Sequence, residues 1–266
     1  MPLVFITGAS SGIGQALAEQ YARQGWQLAL VARREQAVWQ WAQDQAVPAQ
    51  RLGIYAADVT DAAAMMRVAA LCMQQQGLPD VVIANAGISV GMDSTEAQDL
   101  SVLSETLHTN VCGVAHTFHP FLLPMRQRGR GALVGVASVA AIRGLPGHAA
   151  YCASKAAVVA YCESVRGEER PHGVRVVTLL PGFVDTPLTR GNRYPMPFLM
   201  SASAFAQRAV RAIDKGSTTR IIPAPMAAVG TLLRWLPDAW LDRLLAGRAR
   251  KRRRGSEPPA SDGTTA

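Results

Sequence analysis

The amino-acid sequence predicts a doubly wound parallel α/β fold. Three observations predict it. Short, continuous apolar runs of strand length recur along the chain, helix-patterned segments separate them, and the first run passes directly into a glycine cluster, Gly8-Ala-Ser-Ser-Gly12-Ile-Gly14. Strands joined through helices need crossover connections, which give a parallel sheet with helices on both faces. Strands covered on both faces read as unbroken apolar runs rather than as alternating ones.

Leu3 to Thr7 reads as the first strand. In the helix that follows, Ile13, Leu17 and Tyr21 fall on one face, and Gly25 is placed to end it. Leu28 to Val31 is the second strand; Leu52 to Ala57, Val81 to Ala84, Ala132 to Ala137, Val174 to Leu180 and Ile221 to Ile222 supply the rest. Later, Asp238 is expected to cap a short helix over 239–246, with Trp240, Leu241, Leu244 and Leu245 on one face, Asp242 and Arg243 pointing away, and Gly247 closing it. The expected organisation is a core domain over 1–225, an apolar extension over 226–247 and a basic, disordered tail over 248–266.

Composition narrows the function. With 49% apolar and 17% charged residues in 266, the chain has a globular rather than a disordered or disulfide-knot make-up. Cys72, Cys112, Cys152 and Cys162 form no C-x-x-C pair, and His116, His119 and His148 lack metal spacing, so no metal site is expected. The thiols read as buried and reduced, and no signal-like or membrane-spanning run opens the chain, so a cytoplasmic location is expected. Half of the net charge of +8 sits in residues 248–266, which leaves no fold-wide basic face; specific nucleic-acid binding is not expected. Lysine is rare, with only Lys155, Lys215 and Lys251.

In Thr7-Gly8-Ala9-Ser10-Ser11-Gly12-Ile13-Gly14 the glycines permit a tight turn and bring backbone amides to the positive end of the next helix, where a pyrophosphate binds. The second strand ends in Arg33-Arg34, where an NAD site would keep a carboxylate for the ribose 2′-hydroxyl. Guanidinium groups suit a 2′-phosphate, so NADP(H) is expected over NAD(H). Tyr151 and Lys155, four residues apart, share a helix face. A cation near a phenol favours the phenolate and so lowers its pKa toward the range of proton transfer near neutrality.

With these motifs in order, the chain resembles a classical short-chain dehydrogenase/reductase. The resemblance rests on Thr7-Gly8-x-x-x-Gly12-x-Gly14, Asn85-Ala86-Gly87, Asn110, Ser138, Tyr151-x-x-x-Lys155, and Pro181-Gly182 with Thr186, and it covers residues 3–225. It implies a single Rossmann-like domain whose doubly wound parallel sheet has about seven strands in the order 3-2-1-4-5-6-7, with a nicotinamide cofactor across the C-terminal ends of the strands. It also implies Tyr151 as catalytic acid/base, Lys155 lowering its pKa and holding the nicotinamide ribose, Ser138 on the substrate carbonyl, and Asn110 positioning a water beside Lys155. The implied cofactor contacts are Gly8, Ser10, Ser11, Gly12, Ile13, Gly14, Asp58, Val59, Asn85, Ala86, Gly87, Pro181, Gly182, Val184 and Thr186, with Tyr151, Lys155, Arg33 and Arg34. For Asp58 a second reading stands beside the adenine contact, capping of the helix that begins near Asp61.

Substrate expectations come from the segment after Thr186, where Tyr194, Met196, Phe198, Leu199 and Met200 offer an apolar wall and Arg190 and Arg193 offer charge. A lipophilic ketone or aldehyde fits that composition. The C-terminal helix with its basic run reads either as a peripheral membrane anchor or as a core-packed helix followed by a solvated tail. The function expected is therefore an NADP(H)-dependent oxidoreductase interconverting a carbonyl and a secondary alcohol. Two alternatives stand beside it: a keto-lipid or 3-oxoacyl reductase at a membrane surface, and a non-catalytic NADP(H)-responsive protein whose tail contacts nucleic acid. Small residues over 110–121 and 153–165 suit the helix-to-helix face of a homo-oligomer, as in relatives.

Overall fold

The computed structural model of the protein describes residues 1–192, 194–247 and 249–254. The strands of its main sheet are β1 (Leu3–Thr7), β2 (Gln27–Ala32), β3 (Leu52–Ala56), β4 (Val81–Ala84), β5 (Gly131–Val136), β6 (Val174–Pro181) and β9 (Thr219–Ile222). All pair in parallel, in the order β3-β2-β1-β4-β5-β6-β9. The predicted order holds, the seventh strand being β9 because two short strands, β7 (Val184–Asp185) and β8 (Met200–Ser201), pair with each other in between. The reversal of direction lies between β1 and β4, and in such sheets the crevice for ligands opens at the C-terminal ends of those strands.

Alternate residues of β1 feed two cores. Val4 and Ile6 enter a cluster with Leu17 and Tyr21 of α1 (Gly12–Arg23), Val38 and Trp41 of α2 (Glu35–Asp44), and Phe205, Val210 and Ile213 of α7 (Ala202–Asp214). Leu3 and Phe5 enter the opposite cluster. There they meet Met65 and Cys72 of α3 (Ala62–Gln75), Phe118 and Phe121 of α5 (Gly113–Arg128), and Val158 and Cys162 of α6 (Ala149–Glu169). This is the period-two consequence of a sheet covered on both faces. Cys72, Cys152 and Cys162 are buried and Cys112 is half-buried; burial pushes the Cys72 and Cys162 thiols up to about 12, which keeps them in the unreactive thiol form.

The C-terminal segments depart from expectation. Helix α8 (Pro225–Trp235) precedes α9 (Asp238–Leu245). The Asp238 side chain does not cap α9; it accepts from Nη2 of Arg143 at 2.7 Å. Of the four apolar residues expected to share one face of α9, Leu241 is buried while Trp240 and Leu244 are exposed, as are Leu232 and Trp235 of α8. Residues 249–254, expected to belong to a disordered tail, instead form a strap against the loop that follows β4 and against α4 (Leu100–Leu107). Gly91 N–H donates to the Arg252 carbonyl at 3.0 Å. Arg250 pairs with Asp93, Arg253 with Asp99 and Glu96, and Arg254 with Glu105. Arg248 and the rest of the expected tail, 255–266, lie outside the described residues, as does Arg193.

Candidate active site

The C-terminal ends of the strands open into one cleft of about 440 Å³. At one end the glycine loop joins β1 to α1. Gly8 and Gly12 take φ of +69° and +58°, in the left-handed region that favours glycine. A Cβ on Gly14 would stand 2.3 Å from the Gly8 carbonyl oxygen, so helix and loop approach closer than any side chain allows. The loop is tied to β4 through Asn85, whose Nδ2 donates to the Thr7 and Gly8 carbonyls at 3.0 and 3.3 Å. Thr7 Oγ1 in turn accepts from Asn85 N–H at 3.1 Å. A cradle that excludes even a methyl group and presents backbone amides at a helix N-terminus fits a dinucleotide pyrophosphate.

Gly8, Ser10, Ser11, Gly12 and Ile13 line this end of the cleft, as do Asn85, Ala86 and Gly87. Arg33, Arg34, Asp58 and Val59 line it where β2 and β3 end. Arg33 Nη1 stands 3.6 Å from Asp58 Oδ2 across solvent-exposed space. Asp58 Oδ1 accepts from the N–H and the hydroxyl of Thr60 at 2.9 and 2.8 Å. Burial opposes the Asp58 charge, but the Thr60 bonds and Arg33 outweigh it and hold the carboxyl below its ordinary range. The helix cap weighed for Asp58 belongs to Asp61, which accepts from Ala64 N–H at 2.9 Å.

At the other end, Ser138, Tyr151 and Lys155 converge, with Pro181, Gly182, Val184 and Thr186 closing the wall. Ser138 follows β5 by two residues and caps a short 3₁₀ turn, its Oγ accepting from Ala140 N–H at 3.1 Å. Tyr151 and Lys155 sit in the first two turns of α6. Lys155 Nζ lies 5.8 Å from the Tyr151 ring centroid and donates to the Val136 carbonyl at 2.8 Å. Desolvation pushes the Tyr151 phenol up to about 12, against the lowering effect of its hydrogen bond with Ser138. The sequence led us to expect a lowered value through Lys155. The ammonium is turned to a backbone carbonyl and is itself buried, which lowers Lys155 to about 8. The arrangement can present a protonated phenol and a serine hydroxyl to one carbonyl oxygen.

Two predicted site residues stand behind the cleft wall rather than in it, Gly14 and Asn110. Asn110 is wholly buried in a π-helical turn, His108–Cys112, between α4 and α5. Its Oδ1 accepts from Ile88 N–H at 2.8 Å, and its Nδ2 donates to the Ile88 carbonyl and to Ser154 Oγ, each at 2.9 Å. Asn110 therefore fixes the strand-end loop and α6 relative to each other.

The apolar wall expected from Tyr194 to Met200 does not line the cleft. Tyr194 hydroxyl is hydrogen-bonded to His148 Nε2 at 3.1 Å, and Phe198 and Leu199 face solvent. Pro187, Leu188 and Thr189 line the cleft instead, with Ile88 and Thr109, all missed in the sequence. Thr189 was detectable in principle, since its hydroxyl locks a turn by donating to the Val184 carbonyl at 2.6 Å and accepting from Thr186 N–H at 3.1 Å. Among the described residues no His, Cys, Asp and Glu cluster could hold a metal ion, and no helix is long and apolar enough to cross a membrane.

Comparison with known proteins agrees with this architecture. The family model described as short chain dehydrogenase matches residues 2–196. An uncharacterized oxidoreductase of Myxococcus xanthus is 39% identical over 241 residues, covering 89% of this chain and 93% of its own. An 11-beta-hydroxysteroid dehydrogenase A of Sesamum indicum is 36% identical over 198 residues, covering 72% of this chain and 55% of its own. Among solved structures, a short chain dehydrogenase of Burkholderia cenocepacia in complex with NADP superposes with a TM-score of 0.79 at 25% identity, covering 92% of this chain and 97% of that one. The parallel sheet, the glycine cradle at its switch point and the family match over most of the length lead to one assignment: the chain belongs to the short-chain dehydrogenase family and is an oxidoreductase.

Proposed function

We propose that the protein is an NADP(H)-dependent reductase of a ketone or aldehyde, with Tyr151 as its proton donor. The observation that carries this reading is the convergence of Ser138, Tyr151 and Lys155 at one end of a cleft whose other end holds Arg33 and Arg34. NADP(H), when bound, supplies or accepts the hydride. The glycine loop and the α1 N-terminus would bind its pyrophosphate, Arg33 and Arg34 its 2′-phosphate, and Lys155 its ribose hydroxyls. The bound NADP of the Burkholderia cenocepacia relative supports the cofactor choice.

The residues of the chain do the rest. Ser138 Oγ donates to the substrate carbonyl oxygen and orients it. The Tyr151 hydroxyl gives up its proton to the same oxygen as negative charge develops there. With the phenol pushed up to about 12 by desolvation, it holds its proton at neutral pH, as a proton donor must. Asn110 holds the Ile88 backbone and α6 in register, so the three reacting groups keep their spacing.

Replacing Tyr151 by Phe keeps the ring and removes the proton. Turnover of an aromatic aldehyde test substrate should fall at least ~100-fold while NADPH still binds. Near-normal turnover in Tyr151→Phe would refute the mechanism.

A second reading, the same enzyme resting on a membrane surface, is favoured by Leu232, Trp235, Trp240 and Leu244, all exposed on α8 and α9. Its electrostatic half is weakened, because Arg250, Arg253 and Arg254 are spent on carboxylates of the same chain. Flotation with anionic vesicles tests it: Trp235→Ser with Trp240→Ser should abolish the binding if this face inserts.

A further inference from the structure

The strap over 249–254 carries a cation whose placement the reaction does not explain. The segment is extended, and its side chains alternate, with Lys251 and Arg253 turned inward and half-buried and Arg252 and Arg254 exposed. It is seated closely. A Cβ on Gly91 would stand 2.2 Å from the Lys251 carbonyl oxygen, and one on Gly147 would stand 2.8 Å from the Arg250 Cβ. Gly147 lies just before α6, so the strap crosses the Tyr151 end of the cleft, away from Arg33 and Arg34.

Lys251 Nζ donates to Ser89 Oγ at 2.9 Å and to the Leu188 carbonyl at 3.2 Å. Leu188 lines the cleft, and so does Ile88, the neighbour of Ser89. The ammonium thus ties together two segments, 88–89 and 188, that border the cleft. Both acceptors are neutral. Arg250, Arg253 and Arg254 each have a carboxylate, whereas among the described residues Lys251 has none. Burying an ammonium among neutral oxygens is costly, and that burial lowers Lys251 to about 8. A charge kept there at such a cost, at the open end of a substrate cleft, is matched by a charge that arrives with the substrate.

We propose that Lys251 is a specificity-determining residue whose ammonium, held by the strap at the cleft mouth, pairs with a carboxylate on a carbonyl substrate that has an apolar body. This inference rests on the reductase reading and names its substrate class, a keto acid or aldehyde acid. Arg253, the other inward cation, is paired with Asp99 and Glu96, and Arg252 is turned outward, so one ammonium faces the mouth and suits a monoanion rather than a phosphate dianion. Pro187, Leu188 and Ile88 supply the apolar contact between the carboxylate and the carbonyl ends.

The test measures binding rather than turnover. The full chain is saturated with NADP⁺, so that ketones cannot be reduced, and titrated with straight-chain methyl-ketone carboxylic acids of increasing length, each against its methyl ester. At least one length should bind as the acid about tenfold more tightly than as the ester, as a charge-assisted hydrogen bond implies. Lys251→Gln should bring that ratio close to one, and Lys251→Arg should retain most of it. Equal affinities for acid and ester at every length would overturn the proposal, as would a preference that survives in Lys251→Gln. Loss of the preference in Lys251→Arg as well as Lys251→Gln would show that placement of the strap, not its charge, is being read, and would also overturn it. None of these outcomes depends on Tyr151, so failure here is separate from failure of the reductase mechanism.

Discussion

Arg253 Nε lies 2.7 Å from Oδ2 of Asp99, and the same oxygen accepts the backbone N–H of Asp93 at 2.7 Å. Asp99 is almost fully buried, and it joins the strap to the loop that leads into α4. The Arg253 bond is the main reason its carboxyl sits below the ordinary range; Asp93, bonded by Thr95 and facing Arg250 and Arg253, is lowered as well. A carboxylate whose pKa is depressed in the docked state favours docking above its ordinary pKa and ceases to as the pH falls through the depressed value. Acidification below the ordinary carboxylate range should therefore release the strap before the sheet unfolds. Hydrogen exchange at Gly91 N–H, which donates to Arg252, is the readout: its protection should drop on acidification, beyond the intrinsic change, while β1 and β4 amides stay protected. Unchanged Gly91 protection would contradict this.

The cofactor preference should follow Arg33. NADPH should bind more tightly than NADH, and Arg33→Asp should reduce the preference roughly tenfold or more, since a charged contact to phosphate contributes ~1.5–3 kcal/mol. The substitution also places a second carboxylate beside Asp58, which now pairs with Arg33. Equal dissociation constants for the two cofactors in the unmutated protein would exclude the assignment.

Lys155 gives a pH signature. Its folded-state pKa, about 8, lies below the ordinary lysine value, so the charged form is disfavoured by folding and stability should rise with pH from about 8 upward. The ability to hold ribose hydroxyls through an ammonium should decline over the same range, so kcat/KM for NADPH should fall as the pH passes 8. Lys251 titrates in the same window. Melting temperatures of Lys155→Met and the unmutated chain between pH 7 and 10 separate the two: the part of the rise due to Lys155 should be missing in the variant.

Gly14→Ala tests the cradle by steric means alone. Gly14 has a helical backbone, so the added methyl is opposed not by strain in φ but by the Gly8 carbonyl oxygen and Asn85 Nδ2. Overpacking of this kind costs ~1–3 kcal/mol. NADPH affinity should fall along with thermal stability. If calorimetry shows full affinity, the loop does not carry the pyrophosphate.

The sheet was legible because its inner strands, β1, β2, β4, β5 and β6, are buried and rich in apolar residues, so local composition alone marks them, while the half-exposed edge strands β3 and β9 showed only through Leu52 to Ala57 and Ile221 to Ile222. Gly8, Gly12, Tyr151 and Lys155 were legible for the same reason: their chemistry depends on neighbours within a few residues. The strap was not. Arg253 meets Asp99 across 154 residues of sequence, and a basic run flanked by Ser, Pro and Gly has the composition of a solvated tail until its acidic partners are in place. Asp238 misled in a similar way, since it precedes a helix in the manner of a cap while its actual partner, Arg143, lies 95 residues earlier. The direction of the Tyr151 shift was not legible because spacing shows that Lys155 is near but not that its ammonium turns to the Val136 carbonyl, nor that burial raises the phenol more than Ser138 lowers it.

The strap also sets an order of assembly during synthesis. The floor that fits a dinucleotide is built from residues 7–14, 31–34, 57–59 and 85–87 and depends on pairings among the first four strands. The segment bearing Lys251 is translated more than 150 residues after Ser89, its partner at the mouth. Domains generally fold as units as they emerge during synthesis at ~5–20 residues per second, and the strap follows the sheet and helices in the chain. A nascent chain released from the ribosome before residue 249 would thus have the elements of the nucleotide floor but an incomplete mouth, so cofactor affinity and substrate selection should appear as two separable stages of its maturation.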